Sequence, residues 1–246
     1  MPKQLTERLR TAFAHVSRVA HVPEPVTDLG LRSVYLARIA RFVDEHRALD
    51  LDVGYDRFRL FDLVIADEGL ASSPIDYLEF GTAGGSALRH VLAANTDPGS
   101  RFDSFDTFTG LPEAWDGVGV GTFSQGGTPP VVGDPRCSFH VGLFQQTLPG
   151  FLRARERDQR LLVHLDADLY TSTLFVLTML APRLCAGDVL LLGDFCSLRH
   201  PAHVFRAFED FVASYGFVYT LLATSNHAHQ AALRVERPMM NVFARG

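Results

Sequence analysis

Apolar residues recur every three or four positions through the first 70 residues. Leu5, Leu9, Phe13 and Val16 fall on one helical face, Val34, Leu36, Ile39 and Phe42 on another, and Phe58, Phe61 and Val64 on a third, within a helix over 55–70. The spacing predicts an N-terminal helical extension over residues 1–70. From residue 71 onward the period changes. Short β-like runs appear at YLEF, RFDSFD, CSFHVG, LLVHLD, DVLLLGDF, FVYTLLA and QAALRV, and helical stretches such as SALRHVLAA, STLFVLTMLAPRL and AHVFRAFEDFVASY stand between them. Such alternation predicts a mostly parallel sheet with helices on both faces, an α/β domain over 71–246 whose ligands bind at the carboxyl ends of the strands. One stretch breaks the rhythm. Residues 110–135, GLPEAWDGVGVGTFSQGGTPPVVGDP, are too long and too rich in Gly and Pro to be a plain connection, and they carry Trp115 and Phe123. They are expected to form a lid that closes these two rings over a substrate.

The first strand-like run ends in DYLEFGTAGGSALRH. Gly81, Gly84 and Gly85 follow the strand and precede a helix, where missing side chains let a ligand approach the backbone. The turn lacks the lysine of a P-loop and the spacing of a dinucleotide fingerprint. Glu79, two residues before the first glycine, would repel a pyrophosphate and attract a cation. Asp106 ends the next strand in FDTFTGLPE, a place from which a carboxylate binds ribose hydroxyls. Together they point to a nucleoside with a positive centre.

Composition narrows the partners. In 246 residues, 47% of them hydrophobic, the chain has enough apolar material for one substantial core. Its net charge of −5 contains no basic block, which argues against nucleic acid. Neither a signal peptide nor a membrane-length apolar run is visible, so a cytoplasmic protein without a membrane partner is expected. Cys137, Cys185 and Cys196 are too few and too scattered for a disulfide framework and read as reduced core thiols.

The motifs YLEFGTAGG, FDTFTGLPE, GLFQQTLP, HLDADLYTST and DVLLLGDF, in this order, resemble the macrocin O-methyltransferase family of class I S-adenosylmethionine-dependent methyltransferases, roughly over residues 76–235. The resemblance implies a Rossmann-like, seven-stranded, mostly parallel sheet whose last strand, QAALRV here, runs antiparallel. It also implies S-adenosylmethionine as cofactor. Glu79, Phe80, Gly81, Thr82, Gly84, Gly85 and Ser86 would cradle its methionine part, Asp106, Thr107 and Phe108 its ribose, and Gly142, Leu143 and Phe144 its adenine, with Asp166 alongside. The acceptor would be a hydroxyl of a small natural product or sugar-containing metabolite, as in antibiotic biosynthesis. N- or C-methylation and a non-catalytic scaffold are the alternatives, and the N-terminal helices are candidates for a homodimer interface.

By the same resemblance, Asp166 and an acidic pair after the next strand hold magnesium. Here that pair reads Gly193-Asp194, one carboxylate short. Asp166 lies at a strand's carboxyl end, while Asp168 with Thr171, Ser172 and Thr173 suits a helix cap. Two carboxylates, Asp166 and Asp194, hold magnesium poorly. The balance favours metal-independent turnover with a histidine base, His200 or His203, which follow Asp194 at the sheet edge. His164 reads as a core residue, and His227 and His229 as parts of a connection.

Overall fold

The β-like runs become strands because their alternate residues serve two separate cores. A computed structural model describes residues 24–51 and 56–237. In chain order they form α1 (Glu24–Glu45), β1 (Asp50–Leu51), α2 (Arg57–Asp67), β2 (Ile75–Phe80), α3 (Ser86–Ala94), β3 (Arg101–Asp106), β4 (Cys137–Val141) and α4 (Phe144–Ala154). Then follow β5 (Arg160–Leu165), α5 (Tyr170–Leu180), β6 (Val189–Leu192), α6 (Val204–Tyr215), β7 (Val218–Ser225) and β8 (Gln230–Arg237). One sheet has the order β1-β7-β8-β6-β5-β2-β3-β4, with β8 antiparallel to both neighbours and the other pairs parallel. The seven expected strands are all present, and β1 adds an eighth of two residues. Among the described residues no helix is long and apolar enough to cross a membrane.

The period of two is visible in the packing. Leu78, Phe80, Val163, Leu165, Leu190 and Leu192 point to one face, where α4, α5, α6 and part of α1 cover them. Tyr77, Leu162, Val189 and Leu191 point to the other, beneath α2 and α3. The helices of the N-terminal extension are part of these cores: Tyr35 and Ile39 belong to the first, and Leu60, Phe61, Val64 and Ile65 to the second. The inward stripe of α1 differs from the expected one. Leu31, Tyr35, Ile39, Phe42 and Val43 face the core, whereas Val34 and Leu36 are exposed, because positions two apart lie on nearly opposite sides of a helix. The helix expected at Leu5–Val16 lies outside the described residues. Of the three thiols only Cys196 is fully buried, and Cys185 is exposed rather than core.

Segment 110–135 is held along its length. Its Leu111 amide donates to Thr122 O, the Gly121 amide to Leu111 O, and the Gln125 and Gly127 amides both to Phe108 O. The Trp115 ring is buried and stacks on His200 with centroids 3.8 Å apart, while Phe123 is 54% exposed.

Candidate active site

The sheet reverses its strand order between β2 and β5, and a cleft of about 550 Å3 opens there, at the carboxyl ends of β2, β3, β5 and β6. The glycine turn forms one wall. At Gly81, φ is +92°, and a Cβ there would lie 2.1 Å from the Asp166 carbonyl oxygen, so no other residue fits. The carboxylate of Asp106 fixes the turn from the side, accepting from the Ala83 amide and from the Phe108 amide, both at 2.8 Å. Of the expected cofactor residues, Gly81, Ser86, Asp106, Thr107, Leu143, Phe144 and Asp166 line the cleft.

The others stand behind that wall. Glu79 is buried, accepting from Ser104 Oγ at 2.9 Å and from Tyr77 OH at 3.3 Å, with His164 Nδ1 3.3 Å away. It supports the strand under the turn and does not line the cleft, and His164 is buried in the core. Phe80 stacks on Phe105 in the core and Thr82 is buried. Gly84 gives its carbonyl to Arg89, and Gly85 packs so close to Pro130 that a Cβ would come within 2.8 Å of that ring. Phe108 is buried beneath segment 110–135, and the Gly142 amide donates to the Asp106 carbonyl.

Opposite the turn, Asp166, Asp168 and Asp194 converge, with ligand oxygens all within 4.8 Å of one another. Asp168 does not cap the following helix; that helix begins after Leu169 with no side-chain cap. A left-handed backbone at Asp168 (φ 60°) and at Asp194 (φ 47°) turns both carboxyls into the cleft, which the spacing of DADLY does not reveal. Burial, then the charges of Asp166 and Asp194, push the Asp168 carboxyl up to about 9. At Asp194 burial also acts upward, but the hydrogen bond from His229, 3.0 Å away, more than offsets it and holds the carboxyl below its ordinary value. The same bond holds the His229 imidazole above its usual pKa. Asp166 is paired with Arg57, whose Nη1 donates to its Oδ2 at 2.5 Å.

The glycine at position 193 has a local cause. A Cβ there would sit 2.1 Å from Asp166 Oδ1, so the Asp166 carboxyl occupies the space a side chain would need. The third carboxylate comes from Asp168 instead. Three oxygen ligands, one of them raised by its anionic neighbours, fit a small hard divalent cation.

Two expectations change. His200 and His203 do not line the cleft. His200 Nδ1 and His203 Nε2 lie 3.5 and 3.6 Å from Asp116, behind the Trp115 ring, and burial lowers both imidazole pKa values. His229 reaches the cleft instead, because three consecutive left-handed residues, Asn226, His227 and Ala228, tighten the β7–β8 turn. Trp115, likewise, anchors its segment from behind, and Phe123, Gly110, Leu111 and Pro112 form the lid side of the cleft. Arg57 and Phe58, from α2, complete the rim.

Residues 131–220 match the family model of the macrocin-O-methyltransferases. Over that segment the chain resembles the macrocin O-methyltransferases. The matched part holds GLFQQTLP, HLDADLYTST and DVLLLGDF, so it includes all three clustered aspartates. Among solved structures, the O-methyltransferase NovP aligns with 84% of the chain and 100% of its own at 19% identity and a TM-score of 0.58. CalS11, described as a TDP-rhamnose 3'-O-methyltransferase of calicheamicin biosynthesis, aligns with 87% of the chain and 96% of its own at 19% identity and a TM-score of 0.52. An O-methyltransferase from Bacillus cereus in complex with SAH aligns with 91% and 96% at 14% identity and a TM-score of 0.50. These likenesses show the class I methyltransferase fold. No curated protein matches the sequence significantly. The matched segment and the fold are both similar to those of S-adenosylmethionine-dependent methyltransferases.

Proposed function

We propose that this protein transfers the methyl group of S-adenosylmethionine to a hydroxyl of a small, sugar-containing or other natural-product metabolite, with Asp166, Asp168 and Asp194 as the divalent-cation site. The observation that carries the reading is the convergence of these three carboxylates beside the cofactor wall of one cleft. NovP and CalS11, both O-methyltransferases and the second named for a sugar-nucleotide acceptor, support the acceptor class.

The roles follow from position. Gly81 and Ala83 let the cofactor's methionine part approach the backbone, Asp106 and Thr107 face its ribose, and Leu143 and Phe144 offer an apolar slot for its base. A sulfonium methyl is already a good electrophile, so the protein's work is alignment of acceptor oxygen, methyl carbon and sulfur, and exclusion of water. The oxygen lone pair forms the new C–O bond as the C–S bond breaks, its electrons staying on sulfur. A bound divalent cation supplies Lewis acidity that lowers the hydroxyl's pKa. Asp168 is the carboxyl placed to take the proton once a bound cation has ionised it, since Asp166 is engaged by Arg57 and Asp194 by His229.

Calorimetry and turnover of isotopically labelled cofactor test this. S-adenosylmethionine or its demethylated product is expected to bind. Asp106→Ala should weaken binding about tenfold or more by freeing the Ala83 amide and the turn. Turnover of a metabolite pool should stop with chelator and return with magnesium. A folded protein that binds neither nucleoside at millimolar concentration would refute the reading.

A further inference from the structure

We infer that Arg57 is a built-in counter-ion of the aspartate cluster that competes with a divalent cation for Asp166. The inference rests on the metal reading above and concerns what that site does between metal-bound states.

Asp166 is fixed on two sides. Its Oδ1 fills the space beside the Gly193 backbone, where a Cβ would lie only 2.1 Å away, and its Oδ2 accepts from Arg57 Nη1 at 2.5 Å. It therefore presents its outward oxygen to the guanidinium. Arg57 is equally committed: Nη2 donates to Ser86 Oγ at 3.3 Å, and its guanidinium carbon lies 5.6 Å from the centre of the Phe58 ring. Both side chains are largely withdrawn from solvent, at 27% and 17% exposure, so the pair is screened less than a surface ion pair. Within the cluster, His229 partners Asp194, Arg57 partners Asp166, and among the described residues no cation partners Asp168.

A guanidinium held on Oδ2 and a divalent ion drawn to the same carboxylate repel each other at this short range, so the two compete for Asp166. Capture of the ion is therefore opposed by Arg57, which the first turn of α2 carries, with Asp56 and Phe58, to the cleft rim. Arg57 compensates the Asp166 charge that the other two carboxyls would face in the free protein, and it lowers the affinity for the ion to a level that exchange can follow. A purely supportive role for Arg57 predicts the reverse, since losing a structural pair loosens a metal site.

Manganese binding, followed by electron paramagnetic resonance on the full chain without cofactor, separates these cases. Arg57→Gln is expected to bind Mn2+ roughly tenfold tighter than the wild type, about 1.4 kcal/mol. Arg57→Lys should stay near the wild-type value, and Asp166→Asn should lose binding. Unchanged or weaker binding in folded Arg57→Gln, with Asp166→Asn still defective, would overturn the counter-ion role and leave the metal site standing. No binding by either the wild type or Arg57→Gln would sink both. Should Arg57→Gln fail to fold, the wild type decides: magnesium titration must shift the Arg57 Nε–H resonance, and saturation without any shift overturns the inference.

Discussion

A carboxyl buried beside two others resists ionisation, since each neighbouring charge adds to the cost of leaving water. Asp168 is in that position, with a pKa of about 9. Between the ordinary carboxylate range near 4 and this value, the folded protein keeps a proton that the unfolded chain has released, so the group subtracts stability as pH rises through that window. Asn has no proton to lose. Asp168→Asn is therefore expected to stabilise the metal-free protein at pH 7.5 by about 1–2 kcal/mol while abolishing turnover, the trade often seen when a site is strained for function. Thermal melts in chelator from pH 5 to 9 check it: wild type should fall against the variant, and parallel curves would contradict the assignment. Gly193→Ala carries a different load. Its Cβ must push Asp166 off Arg57, and a loss of about 1–3 kcal/mol together with the metal response is expected in the same melts. At this scale the sequence discloses Gly81, Asp106, Asp166 and Asp194, whose places follow from strand ends. It conceals Asp168 and His229, because left-handed backbone at Asp168 and at Asn226 to Ala228 aims them and leaves no periodic trace.

Segments fasten through a few contacts, and those of 110–135 centre on Asp116. Arg32 Nη1 donates to its carboxylate at 2.5 Å, while His200 and His203 face it and Glu113 and Arg199 stand near the imidazoles. Two influences compete on the histidines. Asp116 favours their charged forms, but burial is the larger and leaves both pKa values lowered. An unfastened segment would return them to about 6.5, so below that pH protonation favours the loosened form. The attachment is expected to weaken as pH falls from 7.5 to 5.5. Trp115 is the chain's single tryptophan, and its stacking on His200 makes its fluorescence a direct report. Emission and proteolysis within 110–135 should both rise with acid, and the rise should be smaller in His203→Ala, where only His200 still titrates. A flat profile in the wild type would contradict it. The strands and α3 are legible here because alternation and helical period are strong over five or more residues. β1 is not, since two residues have no period, and the α1 stripe is misplaced because Val34 and Leu36 are apolar yet point outward.

Across the whole molecule, the alternation of strand and helix suffices to foresee the sheet and the edge at which the cleft opens. The contact between Arg57 and Asp166, 109 residues apart, is not foreseeable, because no local pattern marks an arginine for a distant carboxylate. That contact also bears on the boundary at residue 70. Helix α2 lies on the N-terminal side of it, yet Leu60, Phe61, Val64 and Ile65 are nearly inaccessible within the core that covers Tyr77, Leu162 and Leu191. Burying four such side chains is worth about 6–12 kcal/mol, comparable with the whole stability of an ordinary domain, about 5–15 kcal/mol. β1 further pairs with β7 and shields that edge, and Asp50 accepts from Thr224 Oγ1 and the amides of His227 and Ala228, holding the turn that delivers His229. A chain trimmed to 71–246 would bare an apolar sheet face, an open strand edge and the Asp166 carboxylate together. It is expected to be insoluble or to lack a cooperative melt, whereas a chain beginning at residue 24 keeps every one of these contacts. Soluble yield and circular-dichroism melts of the two truncations provide the comparison, and a monodisperse 71–246 fragment that melts cooperatively and binds S-adenosylmethionine would show that the N-terminal helices are dispensable.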